Sequence, residues 1–385
     1  MLLVPILYEL VIGGGGHYLE LGPITFRMLS FLVVMSISTV IVFYNKKIRL
    51  DVVLLIFTLT LVLFLGAIVG LTNNAKLGSV LEDIKPLTFF YMLLFFSLAI
   101  RDVKDVQNVI KIIKRGSVLM AVIYIGVLIL LLLGKINYIQ FYNQQNAIGE
   151  IMFRSNLLFF YKGFIYLCIG FFFFLLIEGK YNKIAMILLF LSIALTLTRG
   201  FILFTILITL YYVFFINKKK YIKYLVFTGM VAVISVLPLV MSSFGDRKNS
   251  DSVRYIQVEQ VISKIDPISF FIGHGFGIGI PIRPGGMEIS FLEIFHKQGL
   301  IGVGFWISMF FYIFFMYYNI KDKAYKKLAL PFLLSVVFVI LQSTTNPYMN
   351  NPIGLSIILI TIVVFSRLLE IQKKNRDDFS VPSNL

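Results

Sequence analysis

A handful of side chains in this sequence combine reactive chemistry with suggestive company. Arg199 stands in Thr196-Leu-Thr-Arg-Gly200, between two apolar runs. Arg247 and Arg254 fall in a polar stretch that also carries Gly273-His-Gly-Phe-Gly277. Glu288 opens Glu288-Ile-Ser-Phe-Leu292, Glu293 follows, and Gly299-Leu-Ile-Gly302 begins the next apolar run. Guanidinium groups grip phosphate oxygens in pairs. Gly200 follows Arg199 at the start of an expected helix, whose N-terminal end would add backbone donors and a positive dipole. Arg199, Arg254 and Arg247 therefore form a candidate anion clamp. A proton acceptor beside it would suit attack by a hydroxyl on a phosphorylated carbon. Glu288 is the first choice for that base, with Glu293 and His274 as the other candidate catalytic groups and His296 qualifying by position. Each has a plainer reading. Arg199 can snorkel at a helix hairpin, Arg254 can be a solvated charge, and Glu293 with His296 can form a polar stripe. Gly273–Gly279 reads by itself as a flexible turn. It lacks the Gly-Lys-Ser/Thr ending of a phosphate-binding loop, so no nucleotide site is expected. His17, His274 and His296 are far apart, so no metal site and no cofactor are expected.

The elements that must position these groups are hydrophobic. The chain has 385 residues, 59% of them hydrophobic and 14% charged, with a mean hydropathy of +0.91. Soluble domains average roughly 45–50% apolar. The net charge of +16 comes from basic residues clustered between apolar runs, which is a topology signal rather than a nucleic-acid footprint. The lone Cys168 lies inside an apolar run and can form no internal disulfide. Apolar runs cover 24–44, 52–71, 84–100, 117–134, 157–177, 184–198, 200–216, 224–241, 299–319, 328–344 and 353–370. Residues 1–12 are apolar but short of the roughly 20 residues of a span, and lack the basic start and cleavage site of a signal peptide. Counting them gives about 12 transmembrane helices. The expectation is an all-α polytopic membrane protein, one domain over 1–385, with a large extracytoplasmic loop at 242–298. Glu82-Asp83, in a shorter outer loop, reads as helix N-terminal charge.

Lys and Arg set the orientation. With both termini in the cytoplasm, the segments 45–49, 101–115, 180–183, 218–223, 321–327 and 367–376 are inside and hold 22 of the 35 basic residues. Residues 242–298 and the turn at Arg199 then face outward, where ATP is absent.

The order of these motifs resembles the superfamily of O-antigen polymerases and O-antigen ligases. The likeness covers about residues 190–310: Thr196-Leu-Thr-Arg-Gly200, an outer loop with Arg254-Tyr-Ile-Gln257, then Gly273-His-Gly-Phe-Gly277, Glu288-Ile-Ser-Phe-Leu292 and Gly299-Leu-Ile-Gly302. The early Gly13–Gly16 loop followed by Arg27 is also polymerase-like. Ligases typically carry His-Asn-X-aromatic-Leu where this chain has Glu288-Ile-Ser-Phe-Leu292, which favours the polymerase side. The resemblance implies inverting, metal-independent glycosyl transfer from an undecaprenyl-pyrophosphate-linked oligosaccharide at the bacterial inner membrane. It implies Arg199 and Arg254 as the family arginines. Partners would be lipid-linked glycan, membrane lipids, a chain-length regulator and a flippase, with no nucleic acid. The alternatives are a ligase acting on lipid A core and a transporter of lipid-linked sugars.

Overall fold

The computed structural model describes residues 2–18, 20–21, 24–45, 48–154, 157–216 and 248–380. Arg247, the basic residues at 46–47 and 218–223 and the apolar run 224–241 lie outside the described residues. The chain begins with α1 (Leu3–Ile12), a β-hairpin of β1 (Glu20–Leu21) and β2 (Ile24–Thr25), α2 (Phe26–Asn45) and α3 (Leu50–Thr72). Next come α4 (Leu77–Thr88), a 3₁₀ turn at Phe89–Tyr91, α5 (Met92–Ala99), α6 (Val103–Leu132) and α7 (Tyr138–Ile148). A second hairpin pairs β3 (Ile151–Phe153) with β4 (Phe159–Tyr161). Then follow α8 (Ile165–Leu176), α9 (Asn182–Leu195), α10 (Arg199–Tyr211), α11 (Lys248–Ile262), α12 (Pro267–Ile272), α13 (Ser290–Asn319), α14 (Lys323–Gln342) and α15 (Pro352–Ser380).

Seven of the described helices are long and apolar enough to cross a membrane, and the protein is a mostly helical, multi-pass membrane protein. The shorter apolar helices at Leu3–Ile12, Lys162–Leu176 and Asn182–Leu195 fall below that length. In α15, 83% of the most apolar window is buried, against 17% in α2. A helix that is apolar on all sides belongs in the middle of a bundle, and α15 is packed along α14, α5 and α13.

Three local outcomes differ from the sequence reading. The apolar run 84–100 is not one helix. Pro86 removes a backbone donor inside α4, and the chain tightens into the 3₁₀ turn before α5 resumes. The run 157–177 contains β4, one strand of the second hairpin, as well as α8, so the chain departs from a purely α fold. The polar residues before 299 are helical: α13 starts at Ser290 and bends at Gly299, whose φ of 59° and close approach to the Phe271 and Gly273 backbone admit no side chain. The expected outer loop therefore contains α11, α12 and the first turns of α13.

The bundle has two unlike ends. At one, Arg49 pairs with Asp51 (2.6 Å), Arg367 donates to the carbonyls of Ile100 and Ser97, Lys114 donates to the Ile177 carbonyl and Asn182, and Lys327 pairs with Glu178. At the other end lie the N-termini of α10, α13 and α15, the β3–β4 hairpin and the segment 273–288.

Candidate functional site

The end that gathers the N-termini of α10, α13 and α15 carries two charged clusters and a histidine pair. The first cluster is built on α11. Arg254 Nε lies 3.1 Å from Glu288 Oε2, and Arg254 Nη1 lies 3.2 Å from Asp251 Oδ1, one turn earlier on the same helix. Asp251 Oδ2 is 3.9 Å from Arg199 Nη1 at the first residue of α10. Arg283 donates to Glu288 Oε1. The backbone N–H of Glu288 donates to Gln257 Oε1 (3.0 Å), fixing the strand of chain that presents the carboxylate. Asp251 thus joins Arg199 to Arg254, and Arg254 in turn holds Glu288, linking three residues widely separated in sequence.

A fourth arginine joins from the β3–β4 hairpin. Arg154 follows β3, its backbone N–H donates to Leu158, and its guanidinium lies 5.6 Å from the Phe160 ring centroid. Burial lowers its pKa first; Arg254 lowers it further, while Tyr348 and Glu288 pull the other way. Nothing in the sequence flagged Arg154, because it stands alone in a weakly polar turn. The Nε atoms of Arg154, Arg254 and Arg283 and Nε2 of Gln257 are buried and make no hydrogen bond. Buried donors of this kind are rare and costly, about 1–3 kcal/mol each. Arg254 Nε is still ion-paired with Glu288, so three donors, on Arg154, Arg283 and Gln257, are left unused around it. Thr198, at the N-cap of α10, makes no side-chain capping hydrogen bond.

The second cluster is closed. Lys297, 3% exposed, donates to Asp83 Oδ1 and Glu293 Oε1, both at 2.7 Å. Glu293 Oε2 accepts from Asn350 (2.7 Å), whose Oδ1 accepts from Ser290 (3.1 Å). Asp83 Oδ2 accepts from the Gly277 N–H (2.7 Å). Asp83 is therefore no helix N-terminal charge. It sits mid-helix in α4 and ties α4, α13 and the glycine turn together. The i,i+4 spacing of Glu293 and Lys297 was visible, but their partner on α4 was not.

The glycine turn itself is tightly packed. Gly273, Gly275 and Gly277 all have positive φ. A Cβ on Gly70 would lie 2.0 Å from the Phe276 carbonyl oxygen, and Phe276 N–H donates to Gly66 (2.9 Å). The expected loose turn is instead pressed backbone-to-backbone onto α3. It places His274 against His296, with ring centroids 4.6 Å apart. Burial holds the His274 pKa below its ordinary value. His274 thus packs on His296 in the glycine turn, and Glu293 is bound to Lys297.

Near the N-terminus, the Gly13–Gly16 loop wraps a buried carboxylate. Glu150 accepts from the N–H groups of Gly15 (2.9 Å) and His17 (3.2 Å), while Arg27 pairs with Glu9 (2.9 Å) and donates to Gly14. This links the first helices to the hairpin that carries Arg154.

Against known proteins, the chain is 32% identical over 372 residues to an O-antigen polymerase of Shigella flexneri, covering 95% of this chain and 94% of that one. No family model matches it.

Proposed function

The chain belongs to the O-antigen polymerases, and on that premise we propose that it joins lipid-linked repeat units by inverting glycosyl transfer on the outer side of the bacterial inner membrane. The donor is a glycan on undecaprenyl pyrophosphate, and the acceptor is a sugar hydroxyl on a second lipid-linked repeat. The acceptor oxygen attacks the donor C1. The C1–O bond to pyrophosphate breaks, and undecaprenyl pyrophosphate leaves with the electron pair. The hydroxyl proton passes to a carboxylate.

One observation carries this reading: Arg254 and Arg283 hold Glu288, Arg199 joins them through Asp251, Arg154 lies close enough to feel Arg254 and Glu288, and donor atoms are left over. A pyrophosphate entering the cluster would replace Asp251 and Glu288 as partner of the guanidiniums. Glu288, released from Arg254, would then be free to accept the acceptor proton beside the bond that breaks. The arginines stabilise the departing charge, a role that needs no metal. Arg247 is a further candidate ligand on the same segment of sequence. The basic end of the bundle supports a cytoplasmic placement for both termini. A chain-length regulator and a flippase would be its working neighbours.

The test is a purified assay with lipid-linked repeat units, run beside a deletion strain. Loss of the protein should leave core lipid with at most one repeat and no ladder. Bare core with polymer stored on undecaprenyl pyrophosphate would instead mark a ligase. Failure of repeats to reach the outer face would mark a transporter. In the assay, Glu288→Gln should keep donor binding and lose polymer; near wild-type polymer would move the base to Glu293 or His274.

A further inference from the structure

The closed cluster lines a cavity of about 350 Å³, at the small end of ligand sites, which span about 300–1,000 Å³. Glu82, Asp83, Glu293 and Asn350 stand on its wall with Lys297. Three carboxylates face one ammonium, and that ammonium is already held by Asp83 and Glu293. The wall also includes Gln298, only 4% exposed, whose Oε1 has no hydrogen-bond partner. The lining thus keeps the Glu82 carboxylate and Gln298 Oε1 as acceptors beside the engaged oxygens of Asp83 and Glu293. Pro86, Leu87 and Pro347 add an apolar side. Hydroxyl donors facing acceptors, with C–H faces against apolar groups, is the chemistry of a sugar ring. An anion would be repelled here and drawn to the arginines next door. The two compartments share one segment: Gly285, Gly286 and Met287 line the cavity, and the following residue is Glu288.

Resting on the polymerase reading, we propose that this cavity holds the acceptor's terminal sugar and selects an uncharged, hydroxyl-rich ring over one bearing a carboxylate. Glu82, exposed on the rim and in no ion pair with a described residue, sets that selectivity together with Glu293. Gly286 keeps the cavity open. A Cβ there would meet only Glu293 Oε1, at 3.6 Å, so a larger side chain can enter the space without disturbing the backbone.

The probe is the free oligosaccharide released by mild acid from the host's lipid-linked repeat unit, carrying neither lipid nor pyrophosphate. Its binding to the full-length protein in lipid nanodiscs is read by ligand-observed NMR and by inhibition of polymerisation. Wild type should bind it, and the same oligosaccharide oxidised to a carboxylate should bind more weakly. Glu82→Gln should narrow that gap, and Gly286→Leu should weaken binding of the parent about tenfold or more at unchanged melting temperature. Equal binding of the two probes by wild type, or undiminished binding by Gly286→Leu, overturns the proposal while polymerisation by wild type leaves the polymerase reading intact. A wild type that extends no lipid-linked repeat overturns both.

Discussion

Arg367 and Arg254 are the same residue in two different economies of hydrogen bonding. Arg367, at the basic end, donates to Ile100, Ser97 and Glu370, closing exposed helix-terminal carbonyls. Arg254, at the other end, holds two carboxylates in ion pairs, yet its Nε makes no well-formed hydrogen bond, and the same is true of Nε in Arg154 and Arg283. Arg49 is the exception at the basic end, with Nη1 unbonded 3.4 Å from Glu370. A saturated charge holds helices together; an unsaturated one is ready for a ligand that brings its own oxygens. On the proposed function, degree of saturation rather than position along the bundle would separate the cations that hold helices from those that hold substrate, with Arg49 set apart.

Lys297 breaks the tie between those two explanations, because it sits at the site end but is saturated. Lys297→Ala leaves Asp83 and Glu293 without their cation and should cost about 3–5 kcal/mol, seen as loss of folded protein in a detergent melting series. A normal melt would mean that location matters more than saturation. Arg254→Ala should do the reverse: polymer formation falls roughly 10²–10³-fold with an unchanged melt, and Arg254→Lys recovers little because an ammonium cannot match the paired geometry. If the melt falls in step with activity, Arg254 is structural after all. Arg367→Ala should lower stability by about 1.5–3 kcal/mol, the range for charged hydrogen bonds, and lower specific activity of the folded fraction hardly at all. Arg154→Ala should slow polymerisation about tenfold, with the loss growing at low donor concentration, because one donor group of several is removed. The smallest effect is expected at His274. Burial keeps its pKa below the ordinary value, so any titration of this ring lies on the acid side of the ordinary histidine range and the rate should show no step from this group between pH 7 and 8. A step that vanishes in His274→Gln would restore it as a base.

Much of this was legible in the residues. The helix start at Arg199 followed from charge set against hydrophobic runs, and Glu288, singled out there and by the resemblance, does meet Arg254. What the sequence hid were partners across space. Asp83 looked like a terminal charge because its cation lies on α13, and Lys297 passed unnoticed inside a largely apolar helix. Arg154 was missed because a three-residue strand carries no periodic signal. The break at Phe89–Tyr91 was hidden by unbroken hydrophobicity, although Pro86 marked it. Pairing between distant segments is set by packing, which a one-dimensional pattern does not record.

The clasp on Glu150 has a consequence in time. Its amide partners at Gly15 and His17 lie 135 and 133 residues away. At synthesis rates of about 5–20 residues per second, roughly 7–27 seconds pass between the emergence of the glycine loop and that of its carboxylate. Helix α1 has ten residues, about 15 Å at 1.5 Å each, half the roughly 30 Å of a hydrocarbon core. The glycine loop therefore waits for its clasp until the segment leading into the hairpin that carries Arg154 has been made, while α1 can already pack on α6.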